Sequence, residues 1–176
     1  MNRFLSLLLV FIVCAGVCPA HTVPPDLQAP LRSFQKNRLL LQELVATSLR
    51  LADEDDPLKR AEHCQEMAER LAQEIQKAAS DQEGARVNEL GLHFRNVLRQ
   101  GVAANITAAG NRIPVGSERE RELEQLGQRV LRMALPLEEQ LQATQPLTTH
   151  QTLRAIHAGR EEVERALRHR NIPVGP

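Results

Sequence analysis

The chain has no tryptophan and no tyrosine, and only four phenylalanines in 176 residues. Phe4 and Phe11 fall in an N-terminal apolar stretch, which leaves Phe34 and Phe94 as the only aromatic side chains beyond it. Base-stacking platforms need exposed aromatics, and sugar sites commonly use them. Nucleic-acid binding and a carbohydrate platform are therefore disfavoured. An excess of either charge is also missing, since 22 basic residues meet 22 acidic ones. The two signs are interspersed, so there is no electrostatic drive toward a polyanion or an anionic membrane. No apolar run reaches the ~20 residues that a bilayer-spanning helix needs, which argues against an integral membrane span.

Cysteine is nearly absent once the N-terminus is set aside. Residues 1–20, MNRFLSLLLVFIVCAGVCPA, read as a secretory signal peptide. Arg3 supplies the positive n-region, and Phe4–Val13 is apolar apart from Ser6. Cys18-Pro19-Ala20 offers small residues at the −3 and −1 positions of a cleavage site. Cleavage after Ala20 is expected to leave His21 as the new N-terminus, in an extracytoplasmic (periplasmic or secreted) setting. It removes Cys14 and Cys18, so Cys64 has no intramolecular partner. Removing Arg3 leaves 21 basic against 22 acidic residues, a net charge of −1.

The remaining ~156 residues suit one domain with a substantial core. Residues 21–30, with Pro24, Pro25 and Pro30, read as an extended lead-in. A helix is expected over about 31–52, its apolar face formed by Leu31, Phe34, Leu41, Leu44, Val45, Leu49 and Ala52. Asp56 and Pro57 are N-cap and first-turn residues for a second helix, about 57–79. There Ala61, Cys64, Ala68, Leu71, Ile75 and Ala78 alternate steps of three and four, a coiled-coil-like seam. Glu66 and Arg70 are placed for an i, i+4 pair.

After a turn at 80–84, a third helix to about 109 carries the same alternation through Val87, Leu90, Phe94, Val97, Gly101, Ala104 and Ala108. Gly101 and Gly91 invite close approach of a neighbour. Ser117 and Glu120 form an S-x-x-E capping box for a fourth helix reaching about 143. Its apolar side is Leu123, Leu126, Val130, Met133, Leu137 and Leu141, and Pro136 is expected to kink or split it. A shorter fifth helix, about 149–169, uses Leu153, Ile156, Val163 and Leu167, with Glu161–Arg165 and Glu164–Arg168 as supporting pairs.

No credible strand is visible. The expected fold is all-α: an antiparallel bundle of four longer amphipathic helices over 31–170, with the shorter C-terminal helix capping or flanking it and a tail at 171–176. Arg112-Ile113-Pro114-Val115-Gly116 is echoed by Asn171-Ile172-Pro173-Val174-Gly175. Each copy follows a helix, which is consistent with a local duplication or with chance.

Chemistry-bearing residues are sparse. His63 and Met67 are four apart on one helix face and could share a soft ion such as copper. Cys64 points about 100° away from His63 and occupies the core seam. His21, if freed by cleavage, could chelate copper through its amine and imidazole, given a further histidine. His150 and His157 lie near one face of the fifth helix, where a pH response is conceivable. The run Glu118, Glu120, Glu122 and Glu124 suits a helix N-terminus. No E-x-x-H, C-x-x-C-H, G-x-S-x-G or phosphate-loop motif occurs, so no enzyme and no cofactor are expected. Asn105-Ile106-Thr107 matches a glycosylation sequon inside an expected helix.

Leu147-Thr148-Thr149-His150-Gln151 resembles the L-T-x-x-Q motif of periplasmic Spy-type chaperones and stress-sensor inhibitors. That family consists of small secreted helical proteins that dimerise and shield unfolded clients. The resemblance implies a Spy-like envelope chaperone or stress modulator acting through a protein partner or self-association. This chain departs from the pattern in having one copy, no Arg after the Gln, and few methionines. The reading carried forward is a non-enzymatic protein working by protein–protein contact. A copper-type metal or redox protein using His63, Cys64 and Met67 is the alternative.

Overall fold

A computed structural model describes residues 25–143 and 150–170, with side-chain burial defined from Asn37 onward and at Gln35. The signal segment, His21, Leu147–Thr149 and the second copy of the Ile-Pro-Val-Gly motif lie outside the described residues. Two compact units divide the chain, residues 1–38 and 39–176. The described part is all-helical: α1 (Pro25–Asp53), α2 (Pro57–Ser80), α3 (Gly84–Asn96), a π-helical segment (Val97–Ala103), α4 (Ala104–Gly110), α5 (Glu118–Ala143) and α6 (His150–Arg168). No strand occurs among the described residues.

Local sequence chemistry accounts for most helix boundaries. The Asp56 carboxylate accepts the Leu58 N–H at 3.1 Å, and Pro57 starts α2 where its missing donor costs nothing. At the other end of α2, Glu83 N–H bonds the Ala78 carbonyl and Gln82 N–H that of Ala79, which is the Schellman pattern. Its left-handed residue is Gln82 at φ 59°, where glycine is usual. Ser117 caps α5, accepting the Glu120 N–H at 3.3 Å. The reciprocal bond of the expected capping box shifts by one residue, because Glu120 takes the Gly116 N–H instead of that of Ser117. Gly116 stands at φ +79°, a conformation that glycine adopts without strain.

Two expectations about proline are corrected. Helix α1 begins at Pro25, so residues 25–30 are helical and not an extended lead-in. Pro25 occupies the first helical position, and Pro30 costs only the one bond it would have made to Asp26 near that end. Helix α5 runs through Pro136 as one helix, so the expected split does not occur. Pro136 is exposed while Leu137 and Leu141 are fully buried. Arg132, whose carbonyl loses its partner at Pro136, is also an exposed residue, and core packing on the opposite side holds the helix together.

The third expected helix is corrected most. It is one uninterrupted helical run from Gly84 to Gly110, but its middle is π-helical. The buried row is Phe94, Leu98, Val102 and Ile106, at 0, 0, 0 and 1 % exposure. Val97 and Gly101, expected on the seam, are half-buried, and Ala104 is exposed. Residues four apart on a regular α-helix drift about 40° per step. The wider π turns, bonded to i−5, take up that drift and hold the row against the core.

Around the core, α2 packs on the α3–α4 run, that run on α6, α6 on α5, and α5 on α2. The C-terminal helix therefore closes this ring of four and does not merely flank it. Sequential neighbours run in opposite directions: Glu74 pairs with Arg86 and Arg60 with Asn105 across α2 and the α3–α4 run, and Glu138 with Arg160 across α5 and α6. Lateral neighbours run in the same direction. Asp56 pairs with Arg119 and Gln65 with Arg129 between α2 and α5, and Asn88 with Thr152 near the starts of α3 and α6. The arrangement is two helical hairpins side by side, which the expected antiparallel bundle did not capture. A three-residue turn dictates the antiparallel order within the first hairpin; the order between hairpins comes from which faces fit.

The two isoleucines of the repeated motif, Ile113 and Ile172, are 59 positions apart, and burial repeats at that displacement. Cys64, Ala68, Leu71, Ala72, Ile75, Ala78 and Ala79 of α2 match the buried Leu123, Gly127, Val130, Leu131, Ala134, Leu137 and Glu138 of α5. The two hairpins thus present their first helices to the core in the same register. In the first copy of the motif, Ile113 is buried and Val115 exposed.

Candidate functional site

The histidine–cysteine–methionine block sits in mid-α2. Cys64 is 2 % exposed and faces the π segment, so close to Gly101 that a Cβ added there would lie 2.7 Å from its Sγ. Burial pushes the thiol above its ordinary pKa of 9.0, with Arg60 nearby opposing the shift. This is a core thiol held in its neutral form. His63 is half-buried on another side of the helix, its Nδ1 without a hydrogen-bond partner and 3.9 Å from Glu66 Oε2. The geometry therefore does not bring Cys64 and His63 to one point. Met67 is half-buried. Among the described residues no group of three or more His, Cys, Asp or Glu side chains is placed to hold a metal ion.

The glycosylation sequon is structurally engaged. Asn105 donates to the Gly101 carbonyl at 2.7 Å and accepts from Arg60 at 3.3 Å. The same Arg60 donates to the carbonyls of Leu51 and Glu54, tying the end of α1 to α2 and α4. A half-buried amide with both ends bonded is a poor acceptor for a bulky glycan.

Spacing along one helix did not foresee the polar cluster at the α5–α6 crossing. Glu138 is 9 % exposed and accepts from Arg160 at 2.9 Å. Arg160 also bonds Glu164, which in turn accepts from Arg168 at 3.1 Å. Burial lowers the Arg160 pKa, but Glu138 and Glu164 together outweigh it and raise it. His157 stands 3.6 Å from Glu138 and 3.3 Å from Glu161. The cluster is a clamp between two helices. His150 is exposed at the start of α6, about two turns before His157 and outside the clamp. The only sequence hint was Glu138 beside Leu137 on the apolar side of α5.

Two expected intrahelical pairs also form differently. Glu66 and Arg70 do not pair with each other; Glu66 accepts from Arg50 at 2.8 Å and Arg70 reaches Glu43 at 3.2 Å. Both bridges bind α1 to α2, and they line an open polar groove of about 370 Å³ between those helices. Arg165 pairs with Glu162 and not Glu161, while Glu164–Arg168 forms as expected. In the acidic run, Glu120 serves the loop before α5 and Arg119 pairs with Asp56, so the carboxylates are not gathered into a paired site.

The remaining feature is an exposed apolar surface on α1. The inward side of α1 is Leu40, Leu44, Thr47 and Leu51, with Leu40 and Thr47 each 7 % exposed. The outward side carries Leu41, Val45 and Leu49, at 46, 58 and 64 % exposure, with Leu39 at 72 % on its shoulder. The sequence pattern expected Leu41, Val45 and Leu49 to be covered, and the structure turns them to solvent. An apolar helix side normally faces the core, and α1 has a second one that does not. Among the described residues, Val115 is the only other large apolar side chain as exposed.

No protein-family model matches the chain, no curated protein matches its sequence, and no solved structure matches its fold.

Proposed function

We propose that this is a non-enzymatic, extracytoplasmic helical protein that acts by docking a protein partner on the outward face of α1. The exposed apolar row Leu41, Val45 and Leu49, with Leu39 beside it, carries the reading. The basic start and apolar run of residues 1–20 support the extracytoplasmic setting. A Spy-like envelope chaperone or stress modulator is one concrete form of it.

The magnitudes limit the kind of contact. Fully burying a Leu or Val side chain contributes about 1.5–3 kcal/mol, so covering the exposed portions of four contributes about 5 kcal/mol. Association costs at least ~4 kcal/mol in lost freedom. The apolar row alone therefore supports a weak, reversible contact, and a tighter one requires polar contacts around it. Crosslinking and pull-down from the native envelope tests the reading, with Val45→Glu as the disrupting variant. Reproducible partners lost in Val45→Glu support it. Recovery of the same proteins by both forms would overturn it.

A further inference from the structure

The outward side of α1 carries charge as well as apolar surface, and the charge has a direction. The inference drawn from it rests on the reading of that side as a docking face. Leu41, Val45 and Leu49 advance at i, i+4 spacing over about 12 Å, with Val45 in the middle. The charged residues from 38 to 53 are Arg38, Glu43, Arg50 and Asp53. Glu43 and Arg50 are turned toward α2, where Arg70 and Glu66 pair with them. Arg38 and Asp53 are exposed, and neither has an ion pair among the described residues. At about 100° per residue, Arg38 lies about 20° from the line through Val45 and Asp53 about 80° from it, to the same side. One end of the row is therefore positive and the other negative. Past the helix, Asp55 and Lys59 are both exposed and opposite in sign, so they add no net charge.

A row of this kind is its own complement once turned around. In an antiparallel pair of α1 helices related by a twofold axis at Val45, Val45 meets the second copy's Val45, and Leu41 meets its Leu49. Arg38 is seven residues before Val45 and Asp53 eight after, so Arg38 and the second copy's Asp53 stand at heights within about 2 Å of each other. The twofold keeps both on the same flank, and the pair forms twice. A parallel arrangement sets arginine against arginine and aspartate against aspartate, so charge selects the antiparallel one. Ser48 and Ala52, exposed on the same side, are small. The Ser48 hydroxyl already donates to the Leu44 carbonyl at 2.7 Å, so covering it leaves no unsatisfied donor.

We infer that the occupant of this face is a second copy of the chain, paired antiparallel through α1 about a twofold at Val45. The apolar row supplies the attraction and is buried on both copies for a single loss of rigid-body freedom. The two Arg38–Asp53 pairs set direction and register.

The test is sedimentation equilibrium of the full mature chain. The parent is expected to be largely dimeric at ~100 μM chain, a concentration that populates a weak interface. Val45→Glu weakens the dimer tenfold or more, and Glu122→Gln on α5 leaves it unchanged. Arg38→Glu and Asp53→Arg each weaken it at least fivefold at ~20 mM salt, because each sets like charges together twice. The double variant Arg38→Glu with Asp53→Arg returns to within threefold of the parent. These differences collapse near ~0.5 M, where the screening length falls to a few ångström. Thermal melts of each variant confirm that the fold is kept.

A parent that stays monomeric overturns the inference and leaves the docking face to the envelope crosslinking. A dimer that Val45→Glu does not weaken lies elsewhere on the surface and overturns it equally. A dimer lost in Val45→Glu but indifferent to the charge exchanges, or not restored in the double variant, overturns the antiparallel pairing.

Discussion

Substituting Gly101 by Ala puts the packing of the π segment to a quantitative test. An added Cβ would meet Cys64 Sγ at 2.7 Å and Cys64 Cβ at 3.0 Å. The first distance is inside the van der Waals limit, so the π segment or α2 must move. Overpacking of this kind costs about 1–3 kcal/mol. Replacing Gly by Ala in a helix returns about 1 kcal/mol through backbone entropy, so the net cost should be about 0–2 kcal/mol. Cys64→Ala removes the sulfur and leaves a small void, costing about 1 kcal/mol. Combining the two puts the new methyl where the sulfur was. The remaining 3.0 Å contact between Cβ atoms makes the relief partial, and the double variant should fall short of additivity by at least ~1 kcal/mol. In a domain of this size each kcal/mol moves the melting midpoint by about 2–4 °C. Thermal and urea unfolding of the four proteins measure the coupling. Additive effects within ~0.5 kcal/mol, or a Gly101→Ala protein more stable than the parent, would refute the close contact between the π segment and α2.

Three further outcomes are expected. Leu98→Ala should cost about 2–5 kcal/mol in urea unfolding and Val97→Ala under ~1 kcal/mol, because Leu98 is fully buried and Val97 is not; the reverse order would contradict the π register. Gln82→Gly should stabilise by about 0.5–1 kcal/mol, since φ 59° strains a residue with a Cβ, and a destabilised variant would contradict the left-handed turn. The Cys64 thiol should resist alkylation at pH 8 until the protein unfolds. Its folded pKa lies above 9.0, so its contribution to stability is full below pH 9 and is lost as pH rises further and only the unfolded thiol ionises; Cys64→Ala should flatten that alkaline decline.

Much of the helical plan was legible because it depends on near neighbours in sequence. The seam Ala61, Cys64, Ala68, Leu71, Ile75 and Ala78 is buried throughout, with no member above 2 % exposure. In α5, Leu123, Leu126, Val130, Leu137 and Leu141 are buried and Met133 partly so. Capping at Asp56 and Ser117 follows from side chains two or three positions away from the groups they satisfy. The candidate metal block was legible only in part. Seam position placed Cys64 in the core, but no spacing rule reveals that His63 Nδ1 lacks a partner. The Glu138–Arg160–Glu164 clamp was hidden for a similar reason, since it joins residues 22 apart across two helices.

The sequence by itself determined where the helices after α1 begin and end and which sides of α2, α5 and α6 are apolar. Those properties follow from caps and from the 3.6-residue period, both local. Tertiary structure decided what local rules leave degenerate. The third helix could have buried Val97 and Gly101 or Leu98 and Val102; a π segment chose the latter, while Gly101 gave its space to Cys64. Helix α1 had two apolar sides of similar strength, and the neighbouring helices covered Leu40, Leu44 and Leu51. Leu41, Val45 and Leu49 were thereby left in solvent. Period fixes how apolar a face is, but only the shape and charge of the neighbours select which of two such faces is covered and which stays open.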